Sequence, residues 1–232
     1  MKFQVLLCAL AFSVTACAQT TSGTHAASQG EFAPTQVPPL PAKLEFAGEA
    51  VPLGNYDTRE SLTREMLTTL YMHSRTMQTL LASERYFAII EPILKKYGVP
   101  DDFKYLMVIE SNLNNIARSP AGAAGLWQFM LATGREFGLE VNDNVDERYH
   151  IEKATVAACK YFKQAYAKYG DWMAVSAAYN AGQGRISSQL DKQLASHAMD
   201  LWLVEETSRY MFRLLAAKEI FNNPQRYGFL LK

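Results

Sequence analysis

The sequence predicts an all-α domain over residues 55–232, and three observations support this fold class. From Asp57 onward, apolar residues recur at the spacing of one helix face. Residues that commonly start or end helices stand between the apolar runs. No alternating strand pattern of useful length appears after residue 55. The chain of 232 residues suits one globular domain preceded by processing and linker sequence.

Residues 1–17 have the features of an export signal. Lys2 precedes an apolar stretch, residues 5–14, that is too short to span a bilayer as a mature helix. The segment Val14-Thr15-Ala16-Cys17 resembles the lipobox of bacterial lipoproteins. The resemblance implies lipidation of Cys17 and an outer-membrane lipoprotein that faces the periplasm. Ordinary signal cleavage after Ala18 is the alternative, since small residues also occupy the required positions there.

Residues 18–54 are predicted to be a flexible linker between the membrane and the helical domain. Thr, Ser, Ala and Gln dominate its first part, and several prolines interrupt any periodic pattern in its second part. Such a composition is typical of a tether. A proline-rich motif that binds a partner is the alternative interpretation.

Two helices are predicted at the start of the domain. Asp57 and Glu60 have the spacing of a capping residue and a following carboxylate. Ser83 is predicted to cap a second helix that runs to Tyr97, with a kink at Pro92 because proline lacks a backbone N–H. The apolar stripe of the first helix consists of Leu62, Met66, Leu67, Leu70, Met77, Leu80 and Leu81.

The third predicted helix opens at Asp101 or Asp102 and carries Glu110 at the end of an apolar run. A carboxyl group at the edge of an apolar helix loses hydration when it ionises, so we expect the pKa of Glu110 to be raised toward neutrality. Such a group can donate a proton near neutral pH. Later helices are predicted near residues 126–137, 150–169, 171–181 and 203–222.

Composition excludes several functional classes. Lys plus Arg equals Asp plus Glu, and no basic stripe with interleaved aromatic residues occurs, so nucleic acid is not a predicted partner. Of the three cysteines, only Cys159 lies in the predicted domain, where we expect a buried apolar side chain and no intramolecular disulfide. The four histidines lack ligand-like spacing. We therefore predict neither a metal site nor a cofactor.

Four motifs follow one another in the second half of the chain. They are Glu110-Ser111, the segment 119–130 with Ala-Gly-Leu-Trp-Gln, the segment 178–182 with Ala-Tyr-Asn-Ala-Gly, and Glu206-Thr207-x-x-Tyr210. Their order and spacing resemble the catalytic domain of lytic transglycosylases with the soluble-transglycosylase (SLT) fold. The likeness covers roughly residues 84–228 and is greatest to the membrane-bound D type. It implies a lysozyme-like all-α domain, with an N-terminal helical extension, that acts on the glycan strands of peptidoglycan.

The resemblance also implies roles for individual residues. Glu110 matches the single catalytic acid, which cleaves the bond between N-acetylmuramic acid and N-acetylglucosamine and leaves a 1,6-anhydromuramic end. Tyr179 matches a tyrosine whose hydroxyl orients the catalytic carboxyl, with Asn180 beside it. Tyr210 matches a further tyrosine of the cleft. No second carboxylate stands in a matching motif, whereas hydrolytic glycosidases generally need two.

Three further residues are expected to meet the substrate. Ser119 matches a serine near the acetamido group, and Gln128 and Met130 match the cleft wall. Structural alternatives remain open: Ser119 can start a turn, Gln128 and Asn180 can satisfy buried backbone groups, and the two tyrosines can be core aromatics. Alternatives for function are a hydrolytic muramidase of the goose type and a non-catalytic lipoprotein that binds the cell wall.

The likeness to the D type is incomplete at the C-terminal end. Lysin-motif repeats, which are common in that type, do not follow residue 228. We therefore expect attachment to peptidoglycan to rest on the cleft and on the lipid at Cys17. We also expect a monomer.

Overall fold

The structure is a computed structural model that describes residues 36–231, and most of these residues lie in eight α-helices. This helical content confirms the predicted all-α fold class. The predicted export signal, Cys17 and the first part of the predicted linker lie outside the described residues. Within residues 36–231, no helix is both long and apolar enough to cross a membrane. The helices are α1 (Tyr56–Tyr71), α2 (His73–Tyr97), α3 (Lys104–Ser111), α4 (Leu131–Glu136), α5 (Ile151–Tyr169), α6 (Trp172–Ala181), α7 (Gln183–Gln193) and α8 (Glu205–Asn222).

Helix α3 lies at the centre of the domain. Leu106 and Met107 are fully buried, and the helix packs against α8 and α2. The ring of Phe103, just before α3, lies 4.5 Å from that of Phe162 and 5.1 Å from that of Trp172, measured between ring centroids. Aromatic rings at such separations add to the stability gained from burial. The start of α3 is therefore fixed to α5 and α6.

The first two helices differ from the prediction. Ser83 does not cap a helix, because it lies inside α2, which runs without interruption from His73 to Tyr97. Its hydroxyl donates a hydrogen bond to the carbonyl of Leu80 one turn earlier. The Ser83 side chain is therefore bonded within its own helix and does not cap a new one. The break comes earlier, at Met72, where α1 has already ended.

The segment predicted as a helix over residues 126–137 is helical only in α4. Before Leu131 the chain forms a tight loop, in which the backbone N–H of Ala124 donates to the carbonyl of Phe129. Gly125 has φ +78°, and a Cβ at this position would lie 1.9 Å from the carbonyl oxygen of Arg148. The loop rather than a helix forms because its backbone needs this close approach. Helix α7 was not predicted, since Ile186 is its one buried residue.

The second part of the predicted linker, within residues 36–54, packs against the helical domain, whereas the sequence predicted a flexible tether there. Strands β1 (Glu45–Phe46) and β2 (Glu49–Ala50) form an antiparallel hairpin. Phe46 is fully buried and its ring lies 5.3 Å from that of Phe103. The backbone N–H of Ala47 donates to Asp102, and that of Trp172 donates to Glu49. Apolar side chains hidden among the prolines thus join the hairpin to the domain.

The burial of Phe46 predicts that the hairpin contributes to stability. We expect Phe46→Ala to lower the free energy of unfolding by about 3–5 kcal/mol, because it leaves a cavity beside Phe103. Val37→Ala is the control, since Val37 is 69% exposed, and we expect a change within about 0.5 kcal/mol. Urea unfolding measures both. Equal effects of the two substitutions would show that the hairpin does not unfold together with the helices.

Candidate active site

Glu110 lies in the last turn of α3, at the point where the helix leaves the core. The helix ends because Asn112 adopts a left-handed conformation with φ +49°, which asparagine tolerates better than most residues. Leu113 follows with φ +57°, and its side chain is buried. This burial holds the unusual backbone in place. The abrupt end of α3 therefore leaves the carboxyl group of Glu110 facing α8.

The carboxyl group of Glu110 is held by Tyr210 of α8. The hydroxyl of Tyr210 donates a hydrogen bond of 2.7 Å to Oε1 of Glu110, and Tyr210 is itself buried. Arg213 lies one turn further along α8, with its guanidinium 5.7 Å from the centre of the Tyr210 ring. Sequence reasoning missed Arg213, because it belongs to none of the four motifs. The spacing of three residues from Tyr210 on a helix was the available signal.

Three effects set the proton affinity of Glu110. Burial raises its pKa, whereas the hydrogen bond from Tyr210 and the positive charge of Arg213 lower it. Burial is the largest of these effects, and the resulting pKa is about 7. This value confirms the expected rise toward neutrality. At neutral pH the group can therefore either donate or accept a proton.

Tyr179 does not have the predicted role. Its hydroxyl donates a hydrogen bond of 2.6 Å to the carbonyl of Trp127, so it does not orient Glu110. The side chain of Tyr179 is nonetheless near Glu110: burial, and then the negative charge of Glu110, raise the pKa of the tyrosine well above its usual value. The residue that orients Glu110 is Tyr210. The two tyrosines thus exchange the roles that the sequence predicted for them.

Ser119 and Gln128 stabilise the loop that precedes α4. The hydroxyl of Ser119 accepts a hydrogen bond of 3.0 Å from the backbone N–H of Ala123 and closes a turn. The amide of Gln128 donates to the carbonyls of Ala117 and Gly125 at 3.2 and 2.8 Å. These contacts agree with the structural alternatives for both residues. Contact of either side chain with a substrate remains a prediction.

The structure brings four of the predicted residues together around one cavity. Its volume is about 540 Å³, and its wall is formed by the end of α6 and the segment that leads into α4. Ser119, Glu110 and Tyr210 do not line it. Tyr179 connects this cavity to Glu110, since its side chain is close to both. The predicted residues in the wall are Gln128, Met130, Tyr179 and Asn180.

Arg148 is a further residue that the sequence did not single out. It is buried, forms an ion pair of 2.7 Å with Asp146, and donates hydrogen bonds to the carbonyls of Gly122 and Phe129. It therefore holds the loop from both of its ends. Trp127 is fully buried and its indole N–H donates to Thr155. Its role is packing beneath the site.

Residues 36–231 contain no group of three or more His, Cys, Asp or Glu side chains that is arranged to hold a metal ion. Cys159 is buried, as predicted, and burial raises the pKa of its thiol to about 12. A thiol with such a pKa is not a nucleophile near neutral pH.

The exchange of roles between the two tyrosines can be tested by substitution. We expect Tyr210→Phe to raise the pKa of Glu110 by roughly one pH unit, because a charge-assisted hydrogen bond to the ionised form is lost. Tyr179→Phe is the matched control and should leave this pKa unchanged within a few tenths. NMR titration of the Glu110 carboxyl carbon measures both. If the pKa of Glu110 rose only in Tyr179→Phe, Tyr179 would be the residue that orients Glu110, as the sequence predicted.

The loop geometry gives another prediction. We expect Gly125→Ala to lower the free energy of unfolding by about 3 kcal/mol or more, because it combines a positive φ with a clash against the Arg148 carbonyl. Gly122→Ala is the control, since Gly122 has φ +89° but open space where a Cβ would lie. We expect it to cost about 1–2 kcal/mol. Equal losses in urea unfolding would contradict the close approach.

Sequence comparisons identify relatives of this chain. Residues 87–200 match the model of the transglycosylase SLT domain. Membrane-bound lytic murein transglycosylase D of Escherichia coli K12 is 31% identical over 229 residues, which cover 90% of this chain and 50% of the relative. Peptidoglycan transglycosylase gp16 of Escherichia phage T7 is 34% identical over 46% of this chain and 8% of the phage protein. The chain thus spans about half the length of the Escherichia coli relative.

Solved structures agree with this result. An inactive variant of the lytic transglycosylase Slt from Pseudomonas aeruginosa is 26% identical, with a TM-score of 0.50 over 59% of this chain and 24% of that one. The 70 kDa soluble lytic transglycosylase of Escherichia coli has a TM-score of 0.51 over 77% and 31% of the two chains, and at 18% identity it supports the fold alone. These matches confirm the resemblance predicted from the four motifs. Residues 87–200 thus match the transglycosylase SLT domain family, and the Escherichia coli relative extends the similarity over 90% of the chain.

Proposed function

We propose that this protein is a peptidoglycan lytic transglycosylase. It cleaves the β-1,4 bond between N-acetylmuramic acid and N-acetylglucosamine and forms 1,6-anhydromuramic ends, as part of cell-wall remodelling or recycling. One observation carries the proposal: Glu110 of the first motif has a pKa of about 7 and is oriented by Tyr210 of the last motif. The names of the matched relatives, which are lytic and peptidoglycan transglycosylases, support the same substrate class.

The proposed reaction needs one carboxyl group used twice. Protonated Glu110 gives its proton to the bridging oxygen, the bond from this oxygen to C1 of the muramic residue breaks, and N-acetylglucosamine leaves with a free 4-hydroxyl. The 6-hydroxyl of the muramic residue then bonds to C1, and ionised Glu110 takes the proton that this hydroxyl loses. The acid is regenerated and no water is consumed. A pKa near 7 suits both steps, because neither form of the carboxyl is strongly disfavoured.

The remaining residues are assigned by position. Tyr210 orients the carboxyl and, with Arg213, limits the rise of its pKa. Gln128, Met130, Tyr179 and Asn180 contact the sugar rings from the wall of the 540 Å³ cavity. Ser119 lies near the acetamido group of the muramic residue. These contacts remain proposals.

The proposed location is the bacterial cell envelope. The segment Val14-Thr15-Ala16-Cys17 supports lipidation of Cys17 and attachment to the outer membrane on its periplasmic side. The membrane-bound character stated in the name of the Escherichia coli relative agrees with this assignment. The protein acts as a monomer on glycan strands.

Product analysis tests the proposed function. The intact chain is incubated with isolated peptidoglycan, and the products are identified by mass spectrometry. Anhydromuramic ends are the expected result. Reducing ends would instead show a hydrolytic muramidase, and binding without any cleavage would show a non-catalytic wall-binding protein.

Substitution of Glu110 tests its proposed role as the acid. We expect Glu110→Gln to fold normally and to lose at least about a hundredfold in turnover, because an amide cannot transfer the proton. Glu140→Gln is the control, since Glu140 lies in an exposed loop, where its carboxylate accepts from Asn142. We expect it to retain its activity. An equal loss in both variants would contradict the single-acid mechanism.

A further inference from the structure

A second cavity lies between α1, α2, α3 and α8. Its volume is about 280 Å³, just below the usual range for ligand pockets, which begins at about 300 Å³. Most of its lining comes from α1, the first half of α2, and α8, all of which lie outside the 87–200 segment that matches the SLT domain model. The family match therefore assigns no function to this cavity.

The charge of this cavity is unbalanced. Three arginines and one glutamate line it. Glu65 is fully buried and pairs with Arg209 at 2.7 Å. Within residues 36–231, Arg75 and Arg213 have no carboxylate partner at ion-pair distance, and Nε of Arg213 is buried without any hydrogen-bond acceptor. A buried donor without an acceptor is costly, and the two arginines without a carboxylate partner make this wall suited to an anion.

Three threonines of the cavity wall can act only as acceptors, whereas the amide of Asn112 can also donate. The hydroxyls of Thr68, Thr69 and Thr79 each donate to a backbone carbonyl of their own helix, at 2.9 Å in all three cases. Each hydroxyl hydrogen is already donated, so only the oxygen lone pairs can interact with a ligand, as hydrogen-bond acceptors. Such groups fit a ligand that carries N–H donors beside its negative charge. The apolar side chains of Ile109 and Phe221 complete the wall and favour a small apolar group.

We propose that this cavity binds the carboxyl-terminal end of a short peptide. Arg75 and Arg213 take the terminal carboxylate, the threonine hydroxyls accept from its amide N–H groups, and the apolar wall contacts a small side chain. The cavity is large enough for one or two amino-acid residues. That the natural ligand is the peptide portion of peptidoglycan rests on the proposed function, whereas binding of the peptide end does not.

A ligand in the cavity is expected to change the pH dependence of activity. The reason is that Arg213 lines the cavity and also acts on the charge of Glu110. The groups that face Glu110 are Tyr210 and Arg213 from α8 and Tyr179 from α6. Of these, only Arg213 is charged at neutral pH. A carboxylate bound to Arg213 offsets its positive charge, so Glu110 keeps its proton to higher pH. The alkaline limit of activity therefore moves upward when the cavity is filled.

Binding is tested first, without turnover. N-acetyl-D-alanyl-D-alanine and its C-terminal amide are titrated into the intact chain, and affinity is measured by calorimetry or by NMR shifts. We expect the acid to bind and the amide to bind much more weakly. Arg75→Gln should weaken binding of the acid about fivefold, since it removes one charge-assisted contact at a partly exposed site. Arg59→Gln, an exposed arginine of α1 that does not line this cavity, is the matched control.

Three results would overturn the proposal. They are no binding of the acid up to its solubility limit, equal binding of acid and amide, and equal affinities of Arg75→Gln and Arg59→Gln. Because these measurements need no reaction, a chain without lytic activity would refute the proposed function and leave the binding result intact.

The coupling to the active site is tested on glycan strands from which the peptides have been removed. Addition of the acid should shift the alkaline limb of the pH profile upward, and Arg213→Gln should abolish this shift. Strands that carry their peptides should show the shifted profile without any added acid if the substrate is the source of the ligand. An unshifted profile with the acid bound would refute the link through Arg213, and peptide-bearing strands without the shift would refute the substrate as the source.

Discussion

The proton affinity of Glu110 depends on a balance between burial and two contacts from α8. Burial alone would keep the carboxyl protonated and useless as a base, whereas a strong positive neighbour alone would keep it ionised and useless as an acid. The hydrogen bond from Tyr210 and the charge of Arg213 offset burial and leave the pKa of Glu110 at about 7. The proposed reaction, in which one carboxyl group acts first as an acid and then as a base, requires this intermediate value. The site therefore tolerates little movement of α8 relative to α3.

Several contacts fix these two helices to one another. Just before α3, the ammonium group of Lys218 pairs with Asp102 at 2.6 Å, and at the start of α3 the hydroxyl of Tyr105 donates to Asn222. At its end, Tyr210 donates to Glu110. Residues later in α8 meet earlier residues of α3, so the helices are antiparallel and held at both ends. A shift of α8 by one turn would break the ion pair and the tyrosine contact together.

The sequence predicted the parts of the fold and site that depend on local pattern. The helical fold class, the position of Glu110 at a helix end and its raised pKa all follow from apolar periodicity and desolvation. The roles of Tyr179 and Tyr210 did not follow, because the motifs place both near the cleft and only the packing of α6 and α8 decides which hydroxyl reaches Glu110. The resemblance selected the wrong one. The motif identified the residues but could not assign their contacts.

The other errors have the same origin in tertiary contacts. The loop before α4 has an apolar composition that suits a helix, but the approach of the Arg148 carbonyl to Gly125 requires an irregular backbone. Glycines at positions 122 and 125 were the available signal. The hairpin at residues 45–50 escaped notice because prolines dominate its surroundings, although the burial of Phe46 depends on Phe103, more than fifty residues away in the chain. Contacts at such separations leave no periodic pattern.

The unit that forms the site is larger than the segment that matches the SLT domain model. That segment ends at residue 200, before Tyr210 and Arg213, and it begins after α1. In this chain α8 supplies the two contacts that lower the pKa of Glu110 against the effect of burial, and α8 packs against α1, α3 and α6. Leu214, Leu215 and Ala216 are fully buried on α8, so without α1 part of this apolar helix would face water. The helices outside the matched segment are therefore part of the candidate site, since α8 holds Tyr210, which orients Glu110, and α1 packs against α8.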